Sequence, residues 1–176
     1  MLVVGFALST PLRAQSAFAF GVAATVGGSW QIEGVDLGYV TSWKAGPFRY
    51  LSIGGRVGVF VDESAITGGT RGIVGGLVLQ TRTNILQLAD VGSETNPSPF
   101  GLDLTLEGSA YAAANNPSQF GSAWGAVSVL PGIRIGNAQS VRYGLVFGPT
   151  LFIGTSTEVR PFLALRFEIP MGRGNR

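Results

Sequence analysis

The carboxylates Asp103 and Glu107 are spaced so that they could act on a substrate together. Two carboxylates on one face of a strand could serve as acid and base in glycoside hydrolysis, provided that they flanked an open sugar cleft. Without such a cleft, the favoured role of both is pairing with arginine. The chain has no histidine and no cysteine, which removes most nucleophile–base pairs and most transition-metal sites. We therefore expect no catalytic residue, no metal site and no cofactor.

The composition excludes further classes of protein. The net charge is +2 and Lys44 is the only lysine, so no basic tract indicates a nucleic-acid partner. Only 12% of the residues are charged, and the 27 glycines are roughly twice the usual share. Glycine and polar residues interrupt every apolar run before the ~18 residues that a membrane helix needs. These features indicate a glycine-rich β protein rather than a helical membrane protein.

Apolar residues occupy every second position over most of the chain, which is the period of a β-strand with two different faces. Turn residues divide this pattern into eight predicted strands at 17–27, 32–43, 49–61, 72–81, 100–113, 120–135, 141–153 and 159–169. Pro131 inside the sixth strand predicts a bulge. The pattern predicts one all-β domain, a single antiparallel up-and-down barrel that spans a membrane. Further strands at 3–8 and 85–91 would make it a ten-strand barrel.

The charged residues indicate which face of the barrel meets lipid. A soluble barrel has an apolar interior and a charged exterior, and a membrane barrel has the reverse arrangement. No charge falls in the middle of a predicted strand on the apolar face. Four acids and four arginines share the other face and predict a charge network in the lumen: Asp36, Arg56, Asp103, Glu107, Arg134, Arg142, Arg166 and Glu168. We expect them to pair and plug a narrow interior; in a wider pore they would stay solvated.

The apolar face is the predicted lipid contact. It includes Leu51, Ile53, Val57, Leu104, Leu163 and Leu165. Aromatic residues near the strand ends are typical of the interface girdles of outer-membrane barrels. The predicted interface aromatics are Tyr39, Trp43, Tyr143 and Phe167.

Residues 1–14 are typical of a secretion signal. Residues 2–8 are an apolar core, Pro11 ends it, and Ala14 offers a small residue for cleavage before Gln15. The basic segment that normally precedes the apolar core is missing, so we expect a truncated or weak signal. The alternative is an ordinary strand at 3–8. The predicted barrel domain is 15–176.

In strand number, alternation, glycine content and signal-like start, residues 17–169 resemble the small outer-membrane barrels of the OmpA/OmpX kind. The resemblance implies a monomer in the outer membrane of a Gram-negative-type cell, in contact with lipid and lipopolysaccharide and inserted by the barrel-insertion machinery. It implies a structural, anchoring or surface-interaction role and no enzymatic activity. The alternatives are a narrow, porin-like pore or carrier for small solutes and a soluble lipocalin-like barrel that binds a lipophilic ligand.

Overall fold

A computed structural model of the chain describes residues 16–45, 48–62, 71–85, 100–114, 120–136 and 140–171. The strands are β1 (Ser16–Thr25), β2 (Trp30–Ala45), β3 (Phe48–Asp62), β4 (Arg71–Asn84), β5 (Phe100–Ala113), β6 (Ala123–Ile135), β7 (Arg142–Ile153) and β8 (Thr157–Met171). Each strand pairs antiparallel with the next, and β8 pairs with β1, so the barrel is closed. The predicted eight-strand up-and-down barrel is confirmed. The signal segment 1–14, which includes the strand candidate at 3–8, lies outside the described residues, and so does the candidate at 85–91 except for Ile85.

Strand β7 shows how the sequence pattern builds the wall. Its exposed residues Tyr143, Leu145 and Phe147 alternate with Val146 and the other buried side chains that point into the barrel. The barrel therefore has an outward face of mainly apolar residues and a lumen face that carries most of the charge. No helix among the described residues is long and apolar enough to cross a membrane.

The bulge predicted at Pro131 is wrong. Ser128 pairs with Thr150 and Gly132 pairs with Val146, so β6 and β7 keep the same register on both sides of the proline. The pairing is interrupted over residues 129–131 instead of being shifted. The reason is that proline removes one N–H donor, and this loss does not by itself require an extra residue in the strand. A register shift occurs instead between Ser42 and Ala45, near the end of β2.

The strand register determines the tilt of the strands. One circuit of paired residues runs through Ala17, Val40, Ser52, Gln80, Glu107, Ser128, Thr150 and Arg160. Phe162 of β8 pairs with Thr25 of β1, so Arg160 lies level with Gly27. The circuit began at Ala17 and therefore returns to the first strand ten residues further along the chain. Ten residues of ~3.3 Å across eight strand spacings of ~4.8 Å give a tilt of about 40°. Side chains can fill the interior of such a barrel.

The two ends of the barrel differ in the chain segments that they carry. The terminal end is where β1 begins and β8 ends, and the loop end is where β1 turns into β2. An apolar cluster fills the lumen at the loop end, and we call it the loop-end aromatic cluster. Its residues are Trp30, Ile32, Phe60, Val74, Tyr111, Phe120, Trp124, Ala126 and Phe152. A smaller apolar cluster around Leu130 and Phe162 lies nearer the middle.

Candidate functional site

The outward face of the barrel is covered with exposed apolar side chains. Ile53 is 59% exposed and Val57 is 64% exposed, while Leu163 and Leu165 are exposed and Leu51 is half-buried. Leu104 is also half-buried, and all six predicted lipid-facing residues lie on this face. Soluble monomers rarely expose contiguous apolar surface on this scale.

Among the side chains that the structure describes, Glu33 is the one charged group on the outward face. It lies three residues into β2, near the loop end, between Ala24 and Val59 on the neighbouring strands. The sequence predicts an absence of charge only for the middle of the strands on this face. Glu33 lies near a strand end and does not contradict that prediction. The outward face is therefore apolar over its central part.

The height of the apolar face can be worked out from β7. Its outward residues run from Tyr143 to Ile153 without a charge. Ten residue steps of ~3.3 Å, tilted by about 40°, correspond to about 25 Å along the barrel axis. This is the height of the apolar band on outer-membrane barrels, ≈ 25 Å.

The aromatic residues of the outward face gather towards the terminal end. Phe20 stacks on Phe167 with ring centroids 5.0 Å apart, and Tyr143 meets Phe167 edge-on at 5.5 Å. Tyr39 is exposed on the same face, whereas the side chain of Trp43 lies outside the described part of the structure. Towards the loop end, the described outward residues include no aromatic side chain. Apart from Phe147 near the middle of β7, the described outward aromatics thus form a belt at one end of the barrel and not at both.

A central ion cluster lies in the middle of the lumen around Arg56, which is 1% exposed. The register puts Asp36 directly opposite Arg56, and the guanidinium donates to both Asp36 oxygens, with N···O distances of 2.5 and 2.8 Å. Arg56 Nη1 also donates to Glu107 Oε1 at 2.9 Å and to the Tyr111 hydroxyl. The second Glu107 oxygen accepts from Arg166 at 2.6 Å. These bonds connect β2, β3, β5 and β8 across the lumen.

A second ion cluster, the terminal ion cluster, occupies the lumen at the terminal end. Arg82 Nη1 and Arg142 Nη2 approach different oxygens of Glu168, at 2.6 and 2.8 Å. Arg134 Nε donates to Asp103 at 2.9 Å, and Arg82 Nε lies 3.5 Å from the same carboxylate. The structure therefore brings the eight predicted charges into two groups. Arg166 joins them, because it pairs with Glu107 and also lines a cavity within the terminal ion cluster.

Arg82 is a member of the network that the sequence prediction missed. The fourth strand was predicted to end at Thr81, but β4 continues to Asn84 and carries Arg82 on the lumen face. Its guanidinium carbon lies 4.6 Å above the Tyr50 ring, which the register places opposite it. The expected balance of four arginines and four acids is therefore wrong, because Arg82 adds a fifth arginine. Arg82 continues the alternation of Val78 and Gln80, which also face the lumen, and this continuation was the signal in the sequence.

Glycines on the lumen wall provide the space for these large side chains. A Cβ atom at Gly34 would lie 3.1 Å from Cγ of Arg56, and one at Gly76 would lie 2.6 Å from a ring carbon of Tyr111. Each would also approach a carbonyl oxygen of the neighbouring strand, at 3.0 and 2.6 Å. The neighbouring Gly75 points outward and meets nothing within 4 Å. The high glycine content is thus explained in part by the volume of the lumen side chains.

The loop-end aromatic cluster was not predicted either, although its residues fall on the lumen parity. Trp30 stacks on Phe60 at 5.6 Å and meets Phe152 edge-on at 5.2 Å. At the rim, the Trp30 indole N–H donates to Glu158 at 2.9 Å, and Arg160 lies over the same ring. Large aromatics at the loop-end termini of β2, β3, β6 and β7 were the signal in the sequence. This cluster fills the lumen beyond the central ion cluster.

The space left inside the barrel is small. The cavity in the terminal ion cluster has a volume of about 40 Å³. An apolar groove of about 480 Å³, lined by Val22, Val35, Val57, Leu163 and others with Glu33 at its edge, lies on the outside. The described residues contain no group of three or more carboxylates that could hold a metal ion. The lumen is thus suited to ion pairing and to very small ligands.

Comparisons with known proteins give no relative from which a function could be transferred. No family model matches the chain, and no significant similarity to a curated protein or to a solved structure is found.

Proposed function

We propose that this chain is a monomeric outer-membrane β-barrel of the OmpA/OmpX-like kind with a structural, anchoring or surface-interaction role and no enzymatic activity. Its outward face would contact outer-membrane lipid and lipopolysaccharide after insertion by the barrel-insertion machinery. The observation that carries this proposal is the uncharged outward face of β7, about 25 Å high. Lipid would solvate a band of this height, whereas water would leave it as an apolar surface that promotes aggregation.

The packing of the lumen favours a closed barrel over the two alternatives, a soluble barrel that binds a lipophilic ligand and a narrow pore. A lipophilic ligand needs a pocket of ≈ 300–1,000 Å³, whereas the cavity in the terminal ion cluster is about 40 Å³ and a second cavity beside Asp36 and Arg166 is about 20 Å³. A pore needs a continuous path, whereas two ion clusters and the loop-end aromatic cluster follow each other along the axis. A narrow pore stays the second candidate, because the terminal ion cluster contains a cavity.

Two substitutions on β7 test the membrane assignment with a matched control. Phe147 and Ile153 are outward residues with similar exposure, 51% and 47%, but Phe147 lies near the middle of the band and Ile153 at its edge. In a bilayer, Phe147→Arg is expected to cost ~2–4 kcal/mol and Ile153→Arg about 0–1 kcal/mol. The free energy of unfolding is measured for both variants in lipid vesicles.

A soluble barrel would give a different result, because both arginines would then be exposed to water. Equal small costs, within about 0.5 kcal/mol of wild type, would refute the membrane assignment. Cell fractionation and heat-modifiable migration on unboiled gels provide an independent check. A protein found only in soluble fractions and insensitive to boiling would also contradict the proposal.

A further inference from the structure

The cavity in the terminal ion cluster has a cationic lining. Its ionic residues are Arg82, Arg134, Arg142, Arg166, Asp103 and Glu168. The two carboxylates pair with the first three arginines, and Arg166 pairs with Glu107 nearer the centre of the lumen. The cavity therefore carries more positive than negative charge, which favours an anion inside it.

Three arginines of this cavity, Arg82, Arg142 and Arg166, have a buried Nε donor that makes no hydrogen bond to the described residues. Arg82 Nε lies 3.5 Å from a carboxylate oxygen of Asp103, whereas the Nε atoms of Arg142 and Arg166 have no ion-pair or hydrogen-bond partner in the described part of the chain. The Arg142 side chain is only 5% exposed. Leaving a donor of a charged group unpaired in a buried position is costly, so a ligand oxygen that accepts from it is stabilised. The unpaired donors thus point to an acceptor-rich ligand.

The arginines are held in place before any ligand binds. The Tyr50 ring lies 4.6 Å from the guanidinium carbon of Arg82 and 5.4 Å from that of Arg142. Glu168 also forms an ion pair with each of these two arginines. A site whose side chains are already fixed loses less conformational entropy on binding than a flexible one.

The size of the cavity limits the ligand. A volume of about 40 Å³ accommodates roughly three water-sized groups. This is the scale of a compact oxyanion, whose several acceptor oxygens match the donor geometry of guanidinium groups. We propose that the terminal cavity is a binding site for a small oxyanion, with inorganic phosphate as the probe, that accepts hydrogen bonds from Arg142 and Arg166. The site does not depend on the membrane assignment.

Calorimetric titration of the full chain, folded in detergent micelles, with inorganic phosphate tests this site. We expect saturable binding of one phosphate per chain. Arg142→Gln should weaken it by about tenfold or more, since a hydrogen bond to a charged group is lost. Arg160→Gln at the loop end is the matched control and should bind as wild type does. Folding of each variant is verified by far-UV circular dichroism.

Glu168→Gln gives a result that misfolding cannot imitate. Removing this carboxylate frees donors of Arg82 and Arg142, so phosphate should bind more tightly than to wild type. Glycerol 3-phosphate distinguishes the source of the ligand: binding of phosphate alone indicates a free ion, and binding of both indicates a phosphoryl group on a larger molecule. Absence of saturable binding of both, or equal affinities of the folded Arg142→Gln and Arg160→Gln variants, would overturn the proposal.

Discussion

Replacement of Arg56 by methionine should destabilise the barrel mainly through the carboxylate that it leaves behind. The two described hydrogen bonds of Asp36 both come from Arg56, at 2.5 and 2.8 Å. Glu107 differs, because it also accepts from Arg166 and Gln80. In Arg56→Met, Asp36 therefore loses its partner and Glu107 keeps two. Breaking a buried ion pair in this way costs about 3–5 kcal/mol.

This reasoning predicts which second substitution restores stability. Arg56→Met combined with Asp36→Leu should recover most of the loss, because the unpaired buried charge is removed. Adding Glu107→Gln to Arg56→Met should recover little, because Glu107 was still paired. Urea unfolding in lipid vesicles, monitored by tryptophan fluorescence, gives the free energies. Arg160→Met is the control, since its partly exposed pair with Glu158 contributes about 1 kcal/mol or less.

Two results would refute the argument. If Arg56→Met lies within about 1 kcal/mol of wild type, the central ion cluster does not have the stability of a buried network. If Asp36→Leu and Glu107→Gln restore stability equally, the loss does not come from one unpaired carboxylate. The first result would mean that the lumen charges are solvated, as in a wider pore.

Two further predictions concern how the lumen is filled. Arg56→Met alone should leave planar-bilayer conductance at the wild-type level, because the loop-end aromatic cluster still closes the lumen. Adding Trp124→Ala and Phe152→Ala to Arg56→Met should raise the conductance. Steady open-pore current through the wild-type protein would contradict this. Gly76→Ala should cost about 1–3 kcal/mol because its Cβ would overlap both the Tyr111 ring and the Ala110 carbonyl oxygen. The adjacent outward Gly75→Ala should be neutral or stabilising by up to about 1 kcal/mol, and equal effects would exclude the packing explanation.

The sequence was sufficient to predict the faces of the strands but not the partners within the lumen. Parity alone placed Arg56 and Glu107 on one face. Their contact depends on the register of β3, β4 and β5, which alternation does not determine. Arg82 was missed for a related reason. A strand boundary placed three residues too early turned a lumen residue into a loop residue.

The loop-end aromatic cluster was missed for a different physical reason. A lumen face was expected to be polar, so Phe60 and Trp124 at that parity were not interpreted as a group. In a closed barrel of this size the interior is packed, and apolar side chains fill it as well as ion pairs do. Aromatic residues at the ends of adjacent strands on the lumen parity therefore predict a packed end, just as those on the outward parity predict an interface belt.

The side chains that close the lumen also hold the wall of the barrel together. Glu107 on β5 binds Arg56 from β3 and Arg166 from β8, and Arg82 on β4 binds Glu168 on β8. A conducting path along the axis would have to break these cross-links and leave buried charges unpaired. Each such break costs several kcal/mol, a large fraction of the 5–15 kcal/mol by which a typical protein is stable. Closure and stability thus depend on the same residues, which favours a structural or surface-interaction role over transport.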